Sequence, residues 1–255
     1  MSPYYALFAA IFLLSALLAG LIAVLRRYLM DGDAGPQEYI RSSVFSFFGS
    51  LYAFFLGFAM VTLWSAFLTA KTDVGKEAEG LLMAYRVSHD FPNSDGFRAA
   101  LMDYVKSVKE DEWPQMDRGT MSEKTRQHQD NMWKTYRQMK PANNEGNDLY
   151  VNLGTFLKET GIQRLNRALL IKGNLYPPLR VIIIFGFFSM LYCLYFSNIQ
   201  QNWVQVIFDF IVIFILISII LFIHDIDTPF SGYVIVPPDA FDYVYQKMLI
   251  LQQGP

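Results

Sequence analysis

Residues 42–70 read SSVFSFFGSLYAFFLGFAMVTLWSAFLTA, an uncharged run of 29 residues between Arg41 and Lys71. As an α-helix rising about 1.5 Å per residue it is roughly 43 Å long, more than the roughly 30 Å hydrocarbon core of a bilayer. Such a helix crosses a membrane and projects beyond it, or crosses at a tilt. Two stripes run along it. Ser46, Ser50, Ala53 and Gly57 form a small-residue face that lets another helix approach closely. Phe47, Leu51, Phe54, Phe58, Thr62, Ser65 and Thr69 form a second face, apolar at one end and hydroxyl-bearing at the other. On the simpler reading both stripes are packing surfaces. On the sharper one the second stripe lines a pore.

Composition agrees with a membrane protein. Apolar residues make up 53% of the chain and charged residues 17%, against a usual quarter, and the mean hydropathy is positive. A net charge of −2 says nothing about partners, and no basic run points to nucleic acid. The single cysteine, Cys193, rules out a disulfide within the chain, and His89, His128 and His224 are too scattered for a zinc site. No P-loop, dinucleotide fingerprint, nucleophile elbow or HExxH is present, so neither an enzyme nor a cofactor is expected.

Working outward, residues 4–25 form another uncharged run, long enough for one crossing. Arg26-Arg27 follow it rather than precede it, so it reads as a retained helix and not as a signal peptide. Its Ser15, Ala16, Ala19 and Gly20 are candidates to pack on the small face of the second helix. A polar connection rich in Asp, Gly and Pro joins the two as a hairpin.

Beyond Ala70 the composition changes. Residues 71–180 hold 17 Lys/Arg and 15 Asp/Glu with no run able to span, which reads as a helical aqueous domain. The second helix continues into it to Ser88. A helix from Asp95 to Glu112 carries Phe97, Leu101, Tyr104, Val105 and Val108 on one face and ends at Trp113-Pro114. Thr120 and Glu123 have capping-box spacing for a polar helix reaching Met139. Pro141 to Asp148 reads as a loop, and Leu149 to Ile171 as an amphipathic helix with Leu149, Leu153, Phe156, Ile162, Leu165 and Leu169 at helical spacing. Its Arg164, Arg167 and Lys172 suit a helix C-terminus or anionic head groups. Glu77 and Glu79 read as a solvated face or a salt bridge between subunits.

Residues 181–197 and 203–223 form a second membrane hairpin, with Pro177-Pro178 as the turn before it. Asp209 lies within the last span, whose 17 Val, Ile, Leu or Phe among 21 residues outweigh its insertion cost. It faces either a bundle interior or water path, or the interface and the amide of Gln205. In the tail, residues 224–255, Asp225 and Asp227 either offer oxygen ligands to a weakly held cation or accept backbone N–H bonds in a proline turn. Asp239 is placed to cap a final helix over residues 240–251. The domain division is therefore 1–70, 71–180, 181–223 and 224–255, an all-α membrane protein. Seven basic residues flank the middle domain (Lys71, Lys76, Arg86, Arg164, Arg167, Lys172, Arg180) against three in the first connection (Arg26, Arg27, Arg41). The larger count puts the middle domain and tail in the cytoplasm, although the first helix alone prefers the reverse.

Several signatures now fall in order: GSLYAFFLGFAMVTLW, EAEGLL, RLNRALL before a proline turn, and DIDTPFSG followed by PPDAF. Over nearly its whole length the chain resembles the bestrophin-like family of four-helix bacterial membrane proteins. The resemblance implies an inner-membrane location, a homo-oligomer with pentamers favoured, inorganic ions as what passes, and a second helix that lines the path with an apolar neck. Carried over, it makes Phe54, Phe58 and Thr62 the neck candidates, with Ser65 and Thr69 further along the same face. The contiguous acidic run that forms the calcium site of bestrophins has no counterpart here. The alternative from another class is a non-conducting anchor whose helical domain binds a partner or senses a signal. An anchor would bury the Phe54 to Thr69 face against a helix of its own subunit.

Overall fold

The computed structural model describes residues 3–29, 38–139, 144–196 and 202–253. Among them the chain forms helices α1 (Pro3–Leu29), α2 (Glu38–Ser88), α3 (Asp95–Ser107), α4 (Trp113–Met116), α5 (Glu123–Gln138), α6 (Asn144–Leu170), α7 (Pro177–Phe196), α8 (Asn202–Asp227) and α9 (Asp239–Gln252), with a π-helical turn at Val108–Glu112. No described residue lies in a strand. Helices α1, α2, α7 and α8 are long and apolar enough to cross a membrane, so the expected all-α membrane architecture holds. The polar connections at residues 30–37 and 197–201 lie outside the described residues.

Several boundaries differ from the sequence expectation, each for a local reason. Pro177-Pro178 open α7 rather than turn the chain before it, because a proline in a first helical turn gives up only an N–H that has no intrahelical partner there. The span so gains the residues it lacked and reaches 20. Trp113-Pro114 does not end the helix begun at Asp95: the helix widens into the π turn and continues as α4, with Pro114 in the first turn. The cap of α5 is Ser122, whose Oγ accepts the Thr125 N–H, and not Thr120. Asn144 to Asp148, read as loop, already belong to α6. Helix α9 begins at Asp239 itself, after Pro238 in the N-cap position, so Asp239 makes no side-chain cap.

The chain divides into two compact units, Met1–Trp64 with Leu175–Asp227 and Ser65–Asn174 with Thr228–Pro255. In the first unit α1 packs on α8 and α7. Ile11, Ala19 and Ile22 form a buried cluster with Leu194, Ile213 and Ile217, and Phe12 meets Phe210 edge to face at 5.1 Å. The small residues of α1 thus serve this packing rather than the small face of α2: Ser15 and Ala19 are buried, while Ser50, Ala53 and Gly57 are left open. Helix α2 meets α7 through Tyr52, whose ring fills the space that a Cβ on Gly186 would need and whose hydroxyl donates to Ile183 O at 2.8 Å.

In the second unit the C-terminal half of α2 is the spine of an apolar core. Val74, Ala78, Leu81 and Tyr85 join Phe97, Leu101, Tyr104, Val105 and Val108 of α3 and the π turn, Leu153 and Leu157 of α6, and Phe241, Val244 and Met248 of α9. Each large apolar side chain buried there contributes about 1.5–3 kcal/mol. The core also seats Met132 and Tyr136 of the otherwise polar α5. Gly80 lets α6 approach: a Cβ on it would lie 2.8 Å from Thr160 Cγ2. The apolar face expected along α6 divides, for Leu153 is buried whereas Ile162, Leu165 and Leu169 point outward.

Candidate functional site

Helix α2 carries two distinct faces. Tyr52, Leu56, Ala59 and Leu63 are buried in the first unit, at spacings of four, three and four that keep them on one side of a 3.6-residue helix. Phe67, Ala70, Val74, Glu77 and Leu81 repeat the spacing in the second unit, again buried. Phe54 lies two residues from Tyr52, about 200° around the axis, and heads the opposite side. Phe54 is 71% exposed and Phe58 57% exposed, and Thr62, Ser65 and Thr69 below them are exposed as well. Among the described residues no helix buries these five. The Thr62 hydroxyl donates to Phe58 O at 2.9 Å and the Thr69 hydroxyl to Ser65 O at 3.0 Å. Both protons are therefore turned back onto the helix, and each hydroxyl keeps its two lone pairs as acceptor sites.

The inner face of α2 ends in a closed set of buried charges. Arg167 on α6 donates from Nε to Glu77 Oε2 at 2.7 Å and from Nη2 to Glu77 Oε1 at 2.9 Å. The same Nη2 lies 3.0 Å from Glu112 Oε1, and Nη1 donates to Met116 Sδ at 3.4 Å. Arg164, one turn earlier, holds Glu112 through Nη2 at 2.6 Å and Gln129 through Nη1 at 2.9 Å. Tyr104 donates to Glu77 Oε1 at 2.9 Å. The Arg167 guanidinium also lies 5.0 Å from the Trp113 ring and 5.6 Å from that of Phe241, within cation–π range of both. Glu77, Glu112 and Arg167 are fully buried.

Two cations and two anions balance, and such a set is tolerated without water only when its members are all hydrogen-bonded. Burial, with the nearby Glu77 and Glu112 carboxylates, pushes the Tyr104 phenol well above its usual range, which keeps it a donor. Desolvation alone would weaken Arg167's hold on its proton, but Glu77 and Glu112 more than offset this and raise it above the usual arginine range. Glu77, read as a solvated or intersubunit residue, is instead buried; Arg164 and Arg167, read as suiting a helix C-terminus or anionic head groups, hold buried carboxylates, with Arg167 in the last turn of α6. Glu79 does face outward.

Asp209 of α8 is fully buried. Its Oδ2 receives Arg26 Nη2 of α1 at 3.1 Å, and the same guanidinium donates to Leu194 O at 2.6 Å and Tyr195 O at 3.2 Å in the last turn of α7. Asp227, at the end of α8, accepts the Leu175 N–H on Oδ1 at 2.6 Å and Arg180 Nη2 on Oδ2 at 2.9 Å. Both its oxygens are thus engaged where α7 begins. Asp225 is half-buried. No group of three or more His, Cys, Asp or Glu able to hold a metal ion occurs among the described residues.

A family model, the bestrophin-like domain, matches residues 11–241. The chain belongs to the bestrophin-like family. Its fold is similar to that of a bacterial bestrophin homologue from Klebsiella pneumoniae, with a TM-score of 0.74 at 14% identity over 97% of this chain and 99% of that one. A point variant of that homologue gives a TM-score of 0.71 at 14% identity over 95% of this chain and 99% of that one. No curated protein matches the sequence. At this identity the likeness speaks for the fold.

In this bestrophin-like protein the buried network is what sequence reasoning missed. Glu112 sits in a KEDEW run that reads as solvated, and the π turn that holds it has no sequence signature. The one available signal was the repeat of Tyr52, Leu56, Ala59, Leu63, Phe67, Ala70 and Val74, which next lands on Glu77. A carboxylate on an apolar seam asks for a buried cation, and Arg164 and Arg167 are the basic residues of the one amphipathic helix left to pair with it.

Proposed function

We propose that this protein is a homo-oligomeric ion channel in a bacterial inner membrane, with the Phe54, Phe58, Thr62, Ser65 and Thr69 face of α2 lining the path. The observation that carries the reading is the exposure of that face. A two-sided helix that spends one side on its own chain and keeps aromatic rings on the other is suited to surrounding an axis with its copies. Family membership supports conduction, and the resemblance favours five subunits. Phe54 and Phe58 form an apolar neck that gates by dewetting, and the hydroxyl-bearing residues continue the path beyond it. The seven basic residues flanking residues 71–180 support a cytoplasmic position for the aqueous domain and tail.

The test is ion flux from proteoliposomes holding the purified full chain, wild type beside Phe58→Ala. Flux from the wild type, altered by the substitution, supports a conducting neck. Flux that is absent, or indifferent to Phe58, favours the membrane anchor.

A further inference from the structure

The buried carboxylates of this protein are not alike. Glu77 receives three hydrogen bonds from Arg167 and Tyr104, shared between its two oxygens. Both oxygens of Glu112 are held by Arg164, and both oxygens of Asp227 by Leu175 N and Arg180. Asp209 receives one bond. Its Oδ1 is the one buried side-chain polar atom among the described residues that has no hydrogen-bond partner. An ionised carboxylate offers about four lone-pair sites, and each unsatisfied polar group in a bilayer interior costs several kcal/mol.

The distances point the same way. Charge-assisted N–H···O bonds run about 2.7–2.9 Å, which describes the pairs Arg167–Glu77 at 2.7 Å and Arg180–Asp227 at 2.9 Å. Arg26 stands 3.1 Å from Asp209 and makes its shortest bond, 2.6 Å, to the backbone oxygen of Leu194. With Tyr195 O as well, the guanidinium is seated on the C-terminal carbonyls of α7, the negative end of that helix dipole. Its charge is answered there without an ionised partner.

We propose that Asp209 is a proton-binding site, its carboxyl neutral at pH 7. The proton comes from solvent and forms an O–H bond at Oδ1, while Oδ2 keeps the Arg26 bond as a neutral acceptor. The new O–H donates to the carbonyl of Gln205 one turn back, as the hydroxyls of Ser15 in α1, Ser189 in α7 and Ser218 in α8 itself donate to the carbonyls of Ile11, Phe185 and Phe214. Among the described residues the charged group that meets Asp209 is Arg26 from α1, itself seated on the Leu194 and Tyr195 carbonyls of α7, and Gln205 lies one turn back on the same helix.

The test is the infrared spectrum of the full-length protein in detergent at pH 7, wild type minus Asp209→Asn, with thermal unfolding of both. A protonated-carboxyl C=O band that is lost in the variant and shifts in wild type carrying carboxyl-13C aspartate is the expected result. Melting temperatures should match, because the amide keeps the neutral shape and supplies an N–H where Oδ1 carries its proton. A difference confined to carboxylate bands overturns the proposal. So does a variant that fails to fold or melts well below wild type, since that outcome reports an ion pair broken by removing one charge.

Discussion

The two sides of α2 treat polar and apolar groups in opposite ways. Its inner side runs through small and apolar residues into Glu77, and there a charge is buried with both its oxygens hydrogen-bonded. Its outer side leaves Phe54 and Phe58 uncovered and turns the Thr62 and Thr69 hydroxyls back to the helix. The difference separates two jobs. Residues on the inner side hold the chain's own fold together, so their removal costs stability. Residues on the outer side are free of that core, so on the proposed function their removal should alter ion flux and leave the fold alone.

The comparison is sharpened most by Arg167→Ala. It strands Glu77 and part of Glu112 in the core and should cost about 3–5 kcal/mol, the penalty for breaking a buried pair from one side. The check is denaturant or thermal unfolding of the purified protein in detergent. Tyr104→Phe removes one neutral donor from the Glu77 carboxylate and should cost about 1.5–3 kcal/mol by the same assay. In the membrane half of the inner side, Gly186→Ala drives a methyl into the Tyr52 ring. Overpacking of that kind costs about 1–3 kcal/mol, and pairing it with Tyr52→Leu should recover most of the loss. The smallest effect belongs to the outer side. Phe54→Ala and Phe58→Ala should each shift stability by no more than about 0.5 kcal/mol, the usual range for exposed positions. A cost near that of Gly186→Ala would erase the distinction between the faces.

How much of this was legible in the sequence depends on which physics set each feature. Four long apolar runs and the polar stretch between them were plain, because span length and charge are local properties. The face carrying Phe54 to Thr69 was legible as a stripe for the same reason. Its exposure was not, since a stripe of aromatic and hydroxyl residues fits a packing surface equally well. The partner of α1 was misjudged because small residues license close approach without saying to which helix: Ala19 and Ser15 are buried with α8 and α7 at hand, not on the small face of α2. The charge network was hidden for a different reason. Its members are far apart in the chain, with Arg167 and Glu77 separated by 90 residues, and the π turn that delivers Glu112 is a departure from the helical period on which the reading relied. Pro177-Pro178 misled through a rule applied at the wrong end, for proline stops a helix from within but starts one readily.

The account turns on the outer side of α2 facing a water-filled path. The direct measurement is block of reconstituted ion flux by a membrane-impermeant thiol reagent in Thr62→Cys, on a Cys193→Ser background that removes the natural thiol. The account predicts flux that falls on modification of Thr62→Cys and is untouched in the Cys193→Ser parent. A conducting Thr62→Cys protein that the reagent leaves unmodified, its thiol sealed in lipid, would contradict it.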